Sequence, residues 1–185
     1  MRKLIKYLNY SLILTSILIS LYYVVFRDNE LILKLKDLSI ILTITSPYLI
    51  EKLFKIKTTE IEKFVVIGFV FMAQFLGVTC ELYNSIYWFD KFTHFLSGVL
   101  TSLIALYLLK FYKIKLNKVF VIIFIISITL AVASIWEIFE FTNSQLFDMD
   151  PQRVIKTGVN DTMYDIIVAF LGSIIVSISK LFIKD

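Results

Sequence analysis

The stretch Tyr87–Gly98, YWFDKFTHFLSG, places an aspartate and the single histidine four residues apart at the start of an apolar helix. Asp90, His94 and Gly98 follow one another at intervals of four residues, so a helix presents them on one face. Asp90 and His94 can act as metal ligands or as an acid and a base, whereas Gly98 provides only space for close packing. We therefore take this stretch as the centre of the fold.

The composition is that of an integral membrane protein. Of the 185 residues, 58% are hydrophobic, mean hydropathy is +0.82, and the apolar residues form blocks, unlike a soluble domain of this size. The net charge of +4 does not indicate nucleic-acid binding, because the lysines flank apolar blocks and form no basic stripe. The only cysteine, Cys80, has no second thiol to pair with and is interpreted as a packing residue.

Six apolar blocks approach the roughly twenty residues that a membrane-spanning helix needs. They predict an all-α, polytopic bundle that forms a single domain over residues 1–185. The second block is the weakest, because it is short and contains Pro47. The first block follows basic residues, as a signal peptide does, but bulky residues such as Tyr22 stand where a cleavage site would be, which predicts a retained helix. The predicted transmembrane helices are 7–26, 38–54, 64–86, 88–111, 119–141 and 162–183.

The distribution of charge predicts that both termini are cytoplasmic, in a multi-pass protein of the plasma (inner) membrane. Cytoplasmic loops of such proteins are rich in Lys and Arg, and six spans with an inner N-terminus put most of the 19 basic residues inside and most of the 15 acids near the outer face. The longest loop, Thr142–Asp161, lies on that acidic side and is a predicted lid. Chemistry is therefore expected at the outer ends of the helices.

Three of the predicted helices each carry a spaced polar pair near this outer face. Antiparallel helices with short connections bring such ends to one depth, so the pairs are expected to converge, with Glu81 as a further candidate. Ionised side chains cost about 2.5 to 3.5 kcal/mol at mid-bilayer and normally face a partner inside the bundle. The six side chains are Asp90, His94, Glu137, Glu140, Asp161 and Asp165.

One neutral imidazole among several carboxylates matches a divalent cation such as Mn²⁺, Zn²⁺ or Mg²⁺, so all six side chains are predicted metal ligands. Glu137 and Glu140 end a helix, where the macrodipole opposes an anion, and so need a proton, a basic side chain or a cation. The simpler alternative is that the acids are solvated and the histidine is structural. The predicted catalytic residues are Asp90, His94, Glu137 and Asp161, and the predicted phosphate-binding residues are Lys91 and Arg153.

The segments FDKFTHFLSG, WEIFEF and NDTMYDIIVAFLGS resemble the bacterial inner-membrane family typified by YjdF and, more distantly, the VanZ-like family. The resemblance covers about residues 81–175. Asp90, Lys91, His94 and Phe95 fit the VanZ pattern, whereas that family tends to carry a glutamine in place of Glu140. The resemblance implies a polytopic inner-membrane protein and names no reaction.

Three functions stay open at this point. The first is a metal-assisted enzyme acting on a lipid-linked or phospholipid substrate. The second is a protein that binds or transports protons or cations, for which six short helices would have to form a homo-oligomer. The third is a structural or accessory membrane protein, including a VanZ-like envelope or antibiotic-resistance role. The lipid bilayer is the expected partner in each, and nucleic acid in none.

Overall fold

The computed structural model describes residues 1–26, 31–147 and 150–182, and they are largely helical, which confirms the all-α prediction. The chain forms two compact units, Met1–Phe89 and Asp90–Asp185. The helices are α1 (Arg2–Phe26), α2 (Leu31–Phe54), α3 (Glu60–Val70), α4 (Leu82–Ser85), α5 (Phe89–Phe111), α6 (Lys118–Phe147), α7 (Val154–Thr157) and α8 (Asn160–Phe182), with a π-helix, Phe71–Thr79, directly after α3.

Five of the described helical segments are long and apolar enough to cross a membrane: α1, α3 with the π-helix, α5, α6 and α8. The second predicted span exists as α2, which begins at Leu31 rather than residue 38. Its first half carries Lys34, Lys36 and Asp37, and these charged residues make the helix less apolar than the other five segments. A multi-pass membrane protein is thus confirmed, and α2 as a sixth span stays a prediction.

The first unit packs α1, α2 and α3 around both apolar and polar side chains. Ile40 and Ile44 of α2 and Ile67 of α3 are fully buried. At one end of the unit the Lys63 ammonium, 6% exposed, lies 2.7 Å from Glu51 and 3.0 Å from Glu60. Charge counting along the sequence treats Lys63 only as a cytoplasmic cation. The structure makes it an internal ion-pair partner that joins α2 to α3.

The third predicted span, 64–86, differs from the structure at both ends. A capping box between Thr59 and Glu62 starts α3 at Glu60, because the two side chains satisfy backbone N–H groups that the first turn leaves free. The helix ends at Thr79, whose hydroxyl donates to Asp37 Oδ1 at 2.9 Å. Glu81 then adopts a left-handed φ of 58°, which breaks the helix. Cys80 is exposed, so its interpretation as a packing residue is wrong.

In the second unit, α5 and α8 cross very closely at two glycines. A Cβ added to Gly98 would collide with the backbone of Ala169, and one added to Gly172 would collide with the carbonyl of Phe95. Only a residue without a side chain permits this approach. The crossing holds the first turns of α5 and α8 next to each other.

The helix α6 joins the same unit and is longer than predicted. Ser102 of α5 and Thr129 of α6 share a hydrogen bond of 3.1 Å, and α6 continues to Phe147, six residues beyond the predicted end. The predicted loop Thr142–Asp161 is therefore partly helical: it contains the end of α6, all of α7 and the start of α8. Its residues Asp148 and Met149 lie outside the described ranges.

Candidate functional site

The first two turns of α5 and α8 bring three aspartates around one lysine. The Lys91 ammonium lies 3.0 Å from Asp90, 2.6 Å from Asp161 and 2.8 Å from Asp165. The side chains of Asp161 and Asp165 are only 6% and 2% exposed, and that of Lys91 is 26% exposed. Charge-assisted contacts of this length are strong where water is largely excluded. We call Asp90, Lys91, His94, Asp161 and Asp165 the α5–α8 cluster.

His94 lies beside these carboxylates without bonding to them. Its Nε2 is 3.7 Å from Asp90 Oδ1 and 3.7 Å from Asp165 Oδ1, beyond hydrogen-bond distance. One ligand atom from each of Asp90, His94 and Asp165 lies within 4.8 Å of the other two. These three residues could converge on a divalent cation, and they form half of the predicted ligand set.

The other predicted pair, on α6, has different partners. Glu137 is 5% exposed, and its Oε2 accepts a hydrogen bond of 3.1 Å from Gln152 Nε2. Glu140 accepts one of 2.9 Å from Trp136 Nε1. The structure thus places both glutamates in the unit that holds the α5–α8 cluster, each bonded to a neutral donor.

Residues 150–159, which we call the return segment, contact both groups from the stretch between α6 and α8. Gln152 donates to the carbonyl of Glu137 as well as to its carboxylate. Arg153, in a left-handed conformation with φ of 51°, has Nη1 3.8 Å from Asp90 Oδ2. Asp150 accepts from the backbone N–H of Val154 at 2.7 Å and so starts α7. A non-glycine residue in this conformation costs about 1 to 3 kcal/mol, so the surrounding contacts must hold Arg153 in place.

Charges in the cluster do not balance. Asp90, Asp161 and Asp165 face the cations of Lys91 and Arg153, so three carboxylates meet two positive groups when His94 is neutral. Asp161 Oδ2 is buried and has no hydrogen-bond partner within the described ranges. A buried excess of negative charge is costly unless a further cation or a proton joins it.

Sequence reasoning missed Gln152 and Asp150, the residues that shape the return segment. The only local signal was the Asp-Pro-Gln run at Asp150–Gln152, since Asp before Pro favours a turn. That signal locates a turn but does not say that the amide beyond it returns to Glu137.

Comparison with known proteins agrees with this architecture. A family model matches residues 9–185. The chain belongs to the family described as "Predicted membrane protein (DUF2238)". The match supports neither a VanZ-like assignment nor a reaction for this DUF2238 protein. An uncharacterized protein of Thermotoga maritima is 29% identical to it over 136 residues, which are 69% of this chain and 65% of the relative; the chain thus spans less than two thirds of that relative's length. No solved structure matches.

Proposed function

We propose that this protein is a metal-assisted membrane enzyme acting on a phosphate-bearing lipid, with a divalent cation held by Asp90, His94 and Asp165. The observation that carries the proposal is that one ligand atom from each of these three residues lies within 4.8 Å of the other two. The carboxylates of the cluster already hold one cation, the Lys91 ammonium, at 2.6–3.0 Å. Two carboxylates and one imidazole suit Mn²⁺, Zn²⁺ or Mg²⁺.

Binding of the cation would displace the Lys91 ammonium, because both need the oxygens of Asp90 and Asp165. The displaced ammonium and the Arg153 guanidinium would then be cations close to the metal ion. Such a pair binds phosphate oxygens through charge-assisted hydrogen bonds. This supports the prediction that Lys91 and Arg153 hold the phosphate of a phospholipid or lipid-linked substrate.

A bound divalent cation lowers the pKa of its water towards 7 and stabilises charge that develops on phosphate oxygens. In the proposed hydrolysis, water adds to phosphorus, the P–O bond to the lipid alcohol breaks, and the proton of the water passes through a carboxylate to the leaving oxygen. Asp161, whose Oδ2 has no hydrogen-bond partner among the described residues, is the proposed base. Glu137 and Glu140 complete the proposed set as carboxylates that strengthen the negative field around the ion.

The topology we propose has six spans, with α2 as the sixth, and both termini in the cytoplasm. The two units then act as a single transmembrane domain of the plasma membrane, with the α5–α8 cluster at the outer face. The excess of basic residues in the predicted inner segments supports this orientation.

A second candidate function is the binding or transport of protons or cations, for which the protein would act as a homo-oligomer. The observation that favours it is the unbalanced charge of the cluster, because three carboxylates and two basic groups leave room for one more positive charge. A structural or accessory role, including the VanZ-like one, would use the same ion pairs only to join α5 to α8.

Metal analysis of purified protein after dialysis against Mn²⁺, Zn²⁺ or Mg²⁺ tests the proposal. We expect one ion per chain in the wild type and almost none in His94→Ala and Asp165→Asn. The control is Asp37→Asn, which alters a buried aspartate of the first unit and should keep the ion. Equally low metal content in every protein would reject the metal site, and cation flux in proteoliposomes would then test the second candidate.

A further inference from the structure

An open groove lies beside the α5–α8 cluster, between the end of α6, the return segment and the start of α8. It has a volume of about 470 Å³ and is lined by residues that include Glu137, Gln152 and Thr162. This volume falls within the range of about 300 to 1,000 Å³ usual for small-molecule sites. The groove is built entirely from residues of the second unit.

The walls of the groove are apolar and exposed. Ile138 and Phe141 of α6 are 62% and 55% exposed, Val154 of α7 is 51% exposed, and Val159 is 67% exposed. Gly158, with a φ of 62°, makes the turn between α7 and α8. A wall of this kind suits a hydrocarbon chain rather than a polar solute.

Glu137 is the acidic residue among those that line the groove, and one of its oxygens accepts no hydrogen bond from the residues that the structure describes. Gln152 uses its side-chain amide on the carbonyl and on Oε2 of Glu137, and an amide has only two N–H donors. Glu137 Oε1 is buried and has no hydrogen-bond partner in the described part of the chain. The last torsion of a glutamate is soft, so a small rotation of the carboxylate, with an adjustment of the Gln152 amide that donates to Oε2, can bring Oε1 to a donor in the groove without movement of α6.

A cation suits Oε1 better than another neutral donor, because the neutral side chains of Gln152 and Thr162 already interact with this carboxylate. Lys91 and Arg153 contact the aspartates of the cluster, so these carboxylates already engage two nearby basic side chains. A buried carboxylate gains more from a charged donor than from a hydroxyl group. The ligand should therefore combine an apolar chain with a compact ammonium group.

We infer that this groove binds one aminophospholipid, with an acyl chain along the apolar walls and the primary ammonium of the headgroup on Glu137. The inference goes beyond the proposed enzyme, because it requires no metal ion and no reaction. Phosphatidylethanolamine has the required group. Phosphatidylcholine has the same phosphate and chains but no N–H, so it cannot donate to the carboxylate.

Quenching of tryptophan fluorescence by brominated acyl chains can test this inference. In a Trp88→Phe background, Trp136 is the remaining tryptophan, one residue from Glu137. Full-length protein is placed in phosphatidylcholine vesicles that contain a chelator and rising fractions of brominated phosphatidylethanolamine or brominated phosphatidylcholine. We expect phosphatidylethanolamine to bind about tenfold more tightly, as one added charged hydrogen bond implies.

Glu137→Gln keeps the shape of the side chain and should abolish this preference. Glu140→Gln removes an equal charge one helical turn away and should keep it. If Glu137→Gln does not fold, Phe141→Ala replaces it: this variant should weaken quenching by both lipids and keep their ratio. Equal quenching of the wild type by the two lipids, or a preference that survives Glu137→Gln, would overturn the inference. Because the experiment excludes metal, its result is independent of the metal analysis.

Discussion

Lys91 is the residue on which the charge balance of the second unit most depends. Its ammonium is the shared partner of Asp90, Asp161 and Asp165, two of which are almost fully buried. Removal of one partner from a buried ion pair leaves the other charge without compensation, which costs about 3 to 5 kcal/mol. A cation that enters the same space would replace what Lys91 supplies.

Replacement of Lys91 by methionine tests whether its ammonium stabilises the fold and whether it occupies the space that a metal ion would take. We expect Lys91→Met to lower the free energy of unfolding by about 3 kcal/mol in metal-free buffer. We expect Mn²⁺ to restore much of that loss, because an ion bound only to the folded state raises its stability. Thermal unfolding in detergent, with and without the ion, measures both effects.

The control for this variant is Lys110→Met, because Lys110 is an exposed residue in the last turn of the same helix. It should change stability by less than about 0.5 kcal/mol and show no response to Mn²⁺. If Lys91→Met melts like this control, the cluster does not depend on the ammonium. If Mn²⁺ fails to stabilise Lys91→Met, the ion does not take the place of Lys91.

At the scale of elements, the glycine crossing of α5 and α8 decides whether the cluster exists. Asp90 and Lys91 belong to α5, whereas Asp161 and Asp165 belong to α8, and the helices approach closely at Gly98 and Gly172. A side chain there must push against backbone atoms, which cannot move aside as a flexible side chain can. Separation of the helices at the crossing would lengthen the ion pairs about two to three turns away.

Alanine at this crossing is therefore expected to be costly. Gly98→Ala should destabilise the protein by about 3 kcal/mol, the upper part of the usual range for overpacking. Gly68→Ala is the matched control, because a Cβ at Gly68 meets no atom within 4 Å, and alanine favours a helix by up to about 1 kcal/mol over glycine. Unfolding midpoints of the two variants should move in opposite directions, and equal shifts would contradict a space requirement at Gly98.

The sequence could predict this crossing only in part. Intervals of four residues put Gly98 on the face of Asp90 and His94, and the apolar blocks located five of the membrane-length helices. The position of Lys91 was not predictable in this way, because neighbouring residues on a helix point about 100° apart. The long side chain of Lys91 bends towards the aspartates, and the position of its ammonium is fixed by the packed partner helix α8.

The irregular elements were unpredictable for a related reason. The π-helix Phe71–Thr79 has an apolar sequence with no local signal for its wider hydrogen-bond pattern, and it contacts α2 through the hydrogen bond from Thr79 to Asp37. The return segment likewise depends on the contact of Gln152 with Glu137, 15 residues away. Local periodicity carries no information about either contact.

At the scale of the whole molecule, the number of membrane crossings depends on α2. If α2 crosses, both termini and the connection after α5 lie on one side. If α2 does not cross, the N-terminus and that connection lie on opposite sides. The two topologies also place Ile155 of α7 differently relative to the N-terminus.

Single cysteines in a Cys80→Ser background can distinguish these topologies. The positions are Leu4, Ile114 and Ile155, which are 62%, 51% and 91% exposed. We expect a membrane-impermeant thiol reagent added to intact cells to label Ile155→Cys and to leave Leu4→Cys and Ile114→Cys unlabelled until the cells are lysed. Opposite labelling of Leu4→Cys and Ile114→Cys would mean that α2 does not span.

The π-helix also makes the number of residues in one segment more important than their identity. Each residue added to or removed from a helix turns everything after it by about 100°. Deletion of one residue between Phe71 and Thr79 would restore a regular spiral, yet it would swing the Thr79 hydroxyl away from Asp37. Variants of this protein should therefore keep the contact after many apolar substitutions in the segment. They should lose it after a single deletion or insertion there.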